Sequence, residues 1–144
     1  MPDWLTSSVV LAALVTAFVA LQNSERKIKI EHITGERAKW RDKVREKALQ
    51  VHQAAVAGNA ERLLELHLEF SLILNPNDPE DRKILLTISK LSSEDMDTDL
   101  LQSLLSEFEQ RIAFLLKHDW ERAKSEADPF WKRREPPKRD CYPN

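Results

Sequence analysis

The sequence predicts an all-α protein: an N-terminal transmembrane helix followed by an antiparallel bundle of about four helices. Three observations lead there. The 144 residues include only two glycines, Gly35 and Gly58, while Leu, Ala, Glu, Lys and Arg dominate, a composition that favours long helices over turn-rich β structure. The opening run "WLTSSVVLAALVTAFVAL" carries no charge. Downstream, apolar residues recur three and four positions apart, the period of a helix with one buried face.

The opening run, Trp4 to Leu21, is about 18 residues long, the lower end of what crosses a bilayer. At 1.5 Å per residue it reaches roughly 27 Å, slightly short of the hydrocarbon core. Trp4 suits an interface, where an amphipathic ring is favoured. A secretory signal would start with Lys or Arg, whereas Pro2 and Asp3 precede this run, and no small-x-small cleavage site stands before Gln22. A buried core helix would keep a polar stripe, and the polar residues here are Thr6, Ser7, Ser8 and Thr16. An uncleaved anchor over residues 1–23 is therefore the expectation. Arg26, Lys27, Lys29, Arg37, Lys39 and Arg41 follow it and no Lys or Arg precedes it. That excess predicts a single-pass protein of the cytoplasmic (inner) membrane, its N-terminus outside and its C-terminal domain cytoplasmic.

Residues 24–35 read as a juxtamembrane linker or a continuation of the helix, with Thr34-Gly35 the weak point because a mid-helix Gly costs about 1 kcal/mol relative to Ala. The bundle is assigned to residues 36–128. Its first helix carries Val44, Ala48, Val51 and Ala55 on one stripe, with Arg37, Arg41, Lys43 and Arg45 away from it. Gly58 suits a left-handed C-terminal position and Asn59 an N-cap. A second helix, 60–74, presents Leu63, Leu66, Phe70 and Ile73. In "NPNDPED", Pro76 disfavours helix at Asn75, Asp78 is an N-cap, Pro79 takes the first helical position, and Glu80 and Asp81 complement the dipole. A third helix runs to about Leu91 with Ile84, Ile88 and Leu91 inward. After "SSEDMDTD", capped by Asp97, the fourth keeps Leu101, Leu104, Leu105, Phe108, Ile112, Leu115, Leu116 and Trp120 on one face from Thr98 to about Ala127. The aromatic and basic tail, 129–144, is expected to be partly disordered.

Chemistry-bearing patterns are sparse. Helix punctuation accounts for the acidic residues of "NPNDPED", which lack the spacing and glycine of a calcium loop. His32, His52, His67 and His118 lack the His-His and Glu-His spacings of helical metal sites. There is no glycine-rich phosphate cradle and no nucleophile elbow. The lone Cys141 makes no internal disulfide. The expectation is a non-enzymatic protein without metal, cofactor or small-molecule substrate. One short basic run in acidic surroundings also argues against a nucleic-acid partner. That run is "FWKRREPPKR": Phe130 and Trp131 beside Lys132, Arg133 and Arg134 suit an anionic lipid surface. Alternatively, Phe130 and Trp131 close the bundle against Trp40 and leave the basic residues solvated.

At "RAKWRDKVRE" and, downstream, "FSLILNPNDPED", the chain resembles a loose group of uncharacterised bacterial single-pass membrane proteins with a Trp-Arg helix and an Asn-Pro-acidic turn. Trp40, Arg41 and Arg45, then Leu74, Asn75, Pro76, Asp78 and Pro79, carry the likeness. It implies a cytoplasmic helical domain and brings no activity with it. The function expected is that of a membrane-anchored interaction or scaffold protein. It binds a protein partner or a second copy through Arg37, Trp40, Arg41, Arg45 and the segment Phe130–Arg134, with Trp4 and the tail touching membrane lipid. The rival expectation is a membrane-perturbing or lysis-associated effector, in which the spans assemble through Ala12, Ala13, Ala17 and Ala20.

Overall fold

The computed structural model describes residues 3–93, 96–127 and 137–143, with the side chains of 3–8, 25, 26, 29, 30 and 127 excepted. Every regular element among them is α-helical: α1 (Asp3–Val56), α2 (Ala60–Ile73), α3 (Pro79–Leu91) and α4 (Thr98–Ala127). The all-α expectation is met. The chain divides into two units, Met1–Ala38 and Lys39–Asn144.

The first unit holds the N-terminal part of α1. The expected membrane span is overturned here: among the described residues, no helix is long and apolar enough to cross a membrane. The apolar stretch of the described side chains covers residues 9–21 and gives way to Gln22, Asn23 and Ser24. A bilayer core asks for about 20 predominantly apolar residues. The single-pass topology and the inner-membrane location with an outside N-terminus lose their basis with it. Helix α1 continues through Gly35, where nothing lies within 4 Å of the position a Cβ would take.

In the second unit, the end of α1 packs with α2, α3 and α4 around one core. Val44, Val51, Leu63, Leu66, Phe70, Ile84, Ile88 and Phe108 are buried there. Phe70 and Phe108 meet edge to face with centroids 6.1 Å apart, an arrangement the ring quadrupoles favour. Named contacts fix the directions. Trp40 reaches Ile73 and Lys47 reaches Glu69, so α2 runs back along α1. Arg41 meets Asp119 while His52 meets Glu109, so α4 also opposes α1. Glu80 meets Arg111 and Thr87 meets Glu107, so α3 and α4 are antiparallel.

The turns follow local chemistry. Helix α1 ends with Asn59 N–H donating to the Ala54 carbonyl and Gly58 N–H to that of Ala55, with Gly58 at φ 63°. That is the Schellman pattern of a left-handed glycine beyond the helix end. Asn59 then accepts from Arg62 N–H at 2.9 Å, Asp78 from the N–H groups of Glu80 and Asp81, and Asp97 from that of Leu100 at 2.7 Å. Each cap satisfies backbone donors that the first helical turn leaves without partners.

Candidate interaction surface

The residues expected to form a contact surface occupy quite different environments in the fold. The Trp40 indole N–H donates to the Ile73 carbonyl at 3.1 Å. It thereby satisfies a carbonyl in the last turn of α2, where intrahelical donors have run out. Arg41, expected on a charged outer face, is only 8% exposed. Its Nη1 donates to Asp119 Oδ2 at 2.8 Å, and its guanidinium carbon lies 5.5 Å from the centre of the Trp120 ring. Arg37 is half-buried. Arg45 is exposed and bonds to Asp42 one turn back on the same helix. The three arginines therefore do not share one open face. Trp4 has no described side chain, and Phe130, Trp131, Lys132, Arg133 and Arg134 lie outside the described residues, so the expected closure against Trp40 lies outside them as well.

Trp120, expected inward, is 51% exposed. It takes cations at two places: Arg41, and the Lys124 ammonium 5.0 Å from the ring centre. Each such contact at an exposed ring is worth about 0.5–1 kcal/mol.

Two features carry no sequence signal of their own. One is an apolar groove of about 440 Å³ between α1 and α4, lined by Ala48, Leu49, His52, Phe108, Glu109, Ile112, Ala113 and Leu116. Leu49, on its wall, is 58% exposed. His52 Nδ1 and Glu109 Oε1 stand 3.1 Å apart among these carbon-rich neighbours. The other is a cluster of charged groups at the start of α3. Arg111 is buried and bonds to Glu80 at 3.0 Å and Glu107 at 2.8 Å, with the Tyr142 ring centre 5.0 Å from its guanidinium carbon. Asp81 is buried, accepts from Asn75 N–H at 2.8 Å, and pairs with Arg139 from the tail. Arg139 also approaches Asp78, and Asp140 bonds to Lys117 at 2.7 Å. The Asp140 carboxylate raises the Lys117 ammonium above its ordinary pKa, as an opposite charge at bonding distance should. Residues 137–143 are thus held against α3 and α4 by three charged contacts and one ring.

No known protein family matches this chain, and no curated protein or solved structure shows significant similarity to it. The reading of function therefore stands on the geometry.

Proposed function

We propose that this chain works by binding: a non-enzymatic helical module whose groove between α1 and α4 takes the apolar face of a helix from a protein partner. The groove itself carries the reading. Its apolar members on α4 are Phe108, Ile112, Ala113 and Leu116, and opposite them stand Ala48 and Leu49 of α1. On α4, Phe108, Ile112 and Leu116 recur every four residues, so a helix laid along that wall meets a side chain at each turn, as in helix-in-groove recognition. An exposed apolar surface bordered by polar groups is also where partners bind; here His52 and Glu109 supply the border. The Arg37, Arg41 and Arg45 face has less support, because Arg41 is spent on Asp119 inside the fold.

The test is affinity capture with the full chain, comparing wild type with Leu49→Glu and Ala113→Glu. Both positions are exposed, so the thermal unfolding midpoint should stay close to wild type. Partners held by wild type should be lost by both variants. Equal recovery on the variants would remove the groove from consideration.

A further inference from the structure

Residues 137–143 form no helix or strand, and among the described residues no backbone–backbone hydrogen bond ties them to the helices. Side chains hold them. Arg139 is the anchor: its side chain is 9% exposed, and its Nη1 reaches Asp81 and, at 3.5 Å, Asp78. Tyr142, three residues on, sets its ring against Arg111, and Asp140 between them meets Lys117. Arginine and tyrosine are among the side chains that most often carry the energy of a protein contact.

The receiving side does not depend on the tail. Asp78 caps α3 through the Glu80 and Asp81 N–H groups, Asp81 accepts the Asn75 N–H, and Arg111 is held by Glu80 and Glu107. The helices thus position these groups before a ligand arrives, which lowers the ordering cost of binding. The tail's own fit is incomplete. Arg139 Nε is buried without a hydrogen-bond partner, a donor whose desolvation nothing offsets.

We propose that this face of α3 and α4 is a binding site for an extended segment of a partner protein, carrying an arginine and, three residues later, an aromatic. Residues 137–143 occupy it in cis as a competitor. Asp78 and Asp81 call for the cation, Arg111 for the ring, and Lys117 for an acid between them. A segment that supplies the same anchors with a better fit displaces the tail. The site shares no residue with the groove between α1 and α4, so it stands or falls apart from that reading.

The probe is the heptapeptide of residues 137–143 with Cys141→Ser and an N-terminal fluorophore, followed by anisotropy with the full chain. A tail that fills the site nine-tenths of the time weakens the apparent affinity about tenfold. Arg139→Ala in the chain should therefore bind the peptide about tenfold more tightly than wild type does. Tyr142→Ala, which removes one anchor and no buried charge, should fall between them. Adding Asp81→Asn to Arg139→Ala should abolish binding, since the amide oxygen still accepts the Asn75 N–H but the charge is gone. Saturating peptide should raise the unfolding midpoint of Arg139→Ala and leave that of wild type in place. No binding to either Arg139→Ala or Tyr142→Ala, affinity equal to that of wild type, or binding that survives Asp81→Asn would each overturn the proposal.

Discussion

Arg41 and Asp119 are separated by 78 positions in the chain and meet at 2.8 Å, with both side chains largely shielded from solvent. The pair joins α1 to α4 at the end of the core where Trp120 also lies. Removing one member leaves the other charge shielded without its partner, at a cost of about 3 kcal/mol, whereas replacing both with apolar residues of similar volume is close to neutral. Asp119→Ala should therefore lower the urea midpoint strongly, and Arg41→Met with Asp119→Leu should recover most of the loss. Equilibrium unfolding of the three proteins checks this. Equal loss in the single and double variants would mean that packing, not charge compensation, dominates at this site.

Asp81 offers a second test, because it holds two different things at once. One oxygen accepts the Asn75 N–H that shapes the turn before α3, and the other accepts from Arg139 of the tail. Asp81→Ala should cost about 2 kcal/mol, since the turn loses the acceptor of its Asn75 N–H and the shielded Arg139 guanidinium keeps only its longer contact to Asp78. Arg139→Ala should leave the turn intact and release residues 137–143. Tryptic cleavage after Lys138 should then accelerate, and the unfolding midpoint should fall as well, because the Asp81 carboxylate stays buried without its cation. If cleavage there is no faster than in wild type, the Arg139 contact does not hold the tail.

These two sites mark where sequence reading stops. Asn59, Asp78 and Asp97 were legible as caps because a cap bonds within three residues of itself, and so were Leu63, Leu66, Phe70, Ile84 and Ile88, whose spacing alone names the inner face. Arg41 was placed on an outer face because its partner lies far along the chain, although it stands three residues before Val44 and in phase with the core stripe. Trp120 was expected inward because it keeps phase with Leu116. In the fold it lies half-exposed between cations from α1 and from the next turn of α4. Sequence reads Asp81 as a complement to the α3 dipole, and nothing local announces that a tail arginine 58 positions further along the chain returns to it. Reading the N-terminal run as a span rests on counting uncharged residues, which measures length but not how apolar those residues are.

The two glycines should respond in opposite directions to the same change. Gly35 lies inside α1 with open space around its Cβ position, so Gly35→Ala should stabilise the helix locally by about 1 kcal/mol through the lost freedom of glycine in the unfolded chain. Amide exchange over residues 31–38 should slow. Gly58 has equal space but a φ of 63°, so Gly58→Ala should destabilise the second unit by about 1 kcal/mol, and Gly58→Asn by less, because asparagine tolerates the left-handed region. Since neither site is crowded, a loss at both would show that free space rather than backbone conformation had been misjudged.

The final prediction concerns acid. The Lys47 ammonium, bonded to the Glu69 carboxylate, holds that carboxyl below its ordinary pKa; partial burial pushes it the other way, and the charges of Lys47 and Arg62 add to the lowering. In the unfolded chain the group returns to about 4.3. A carboxyl whose folded value is depressed contributes stability that is present in full above the unfolded value and is lost as pH falls through the folded one. Glu69→Gln should therefore be less stable than wild type at neutral pH, and the gap should narrow once the pH drops below about 4.3. Lys47→Met should show the same convergence, because it removes the cation responsible for the shift. Urea midpoints of the three proteins at pH values from neutral down to about 3 measure it. A gap between Glu69→Gln and wild type that stays constant over that range would assign the loss to shape or hydrogen bonding and leave no part of it to the charge.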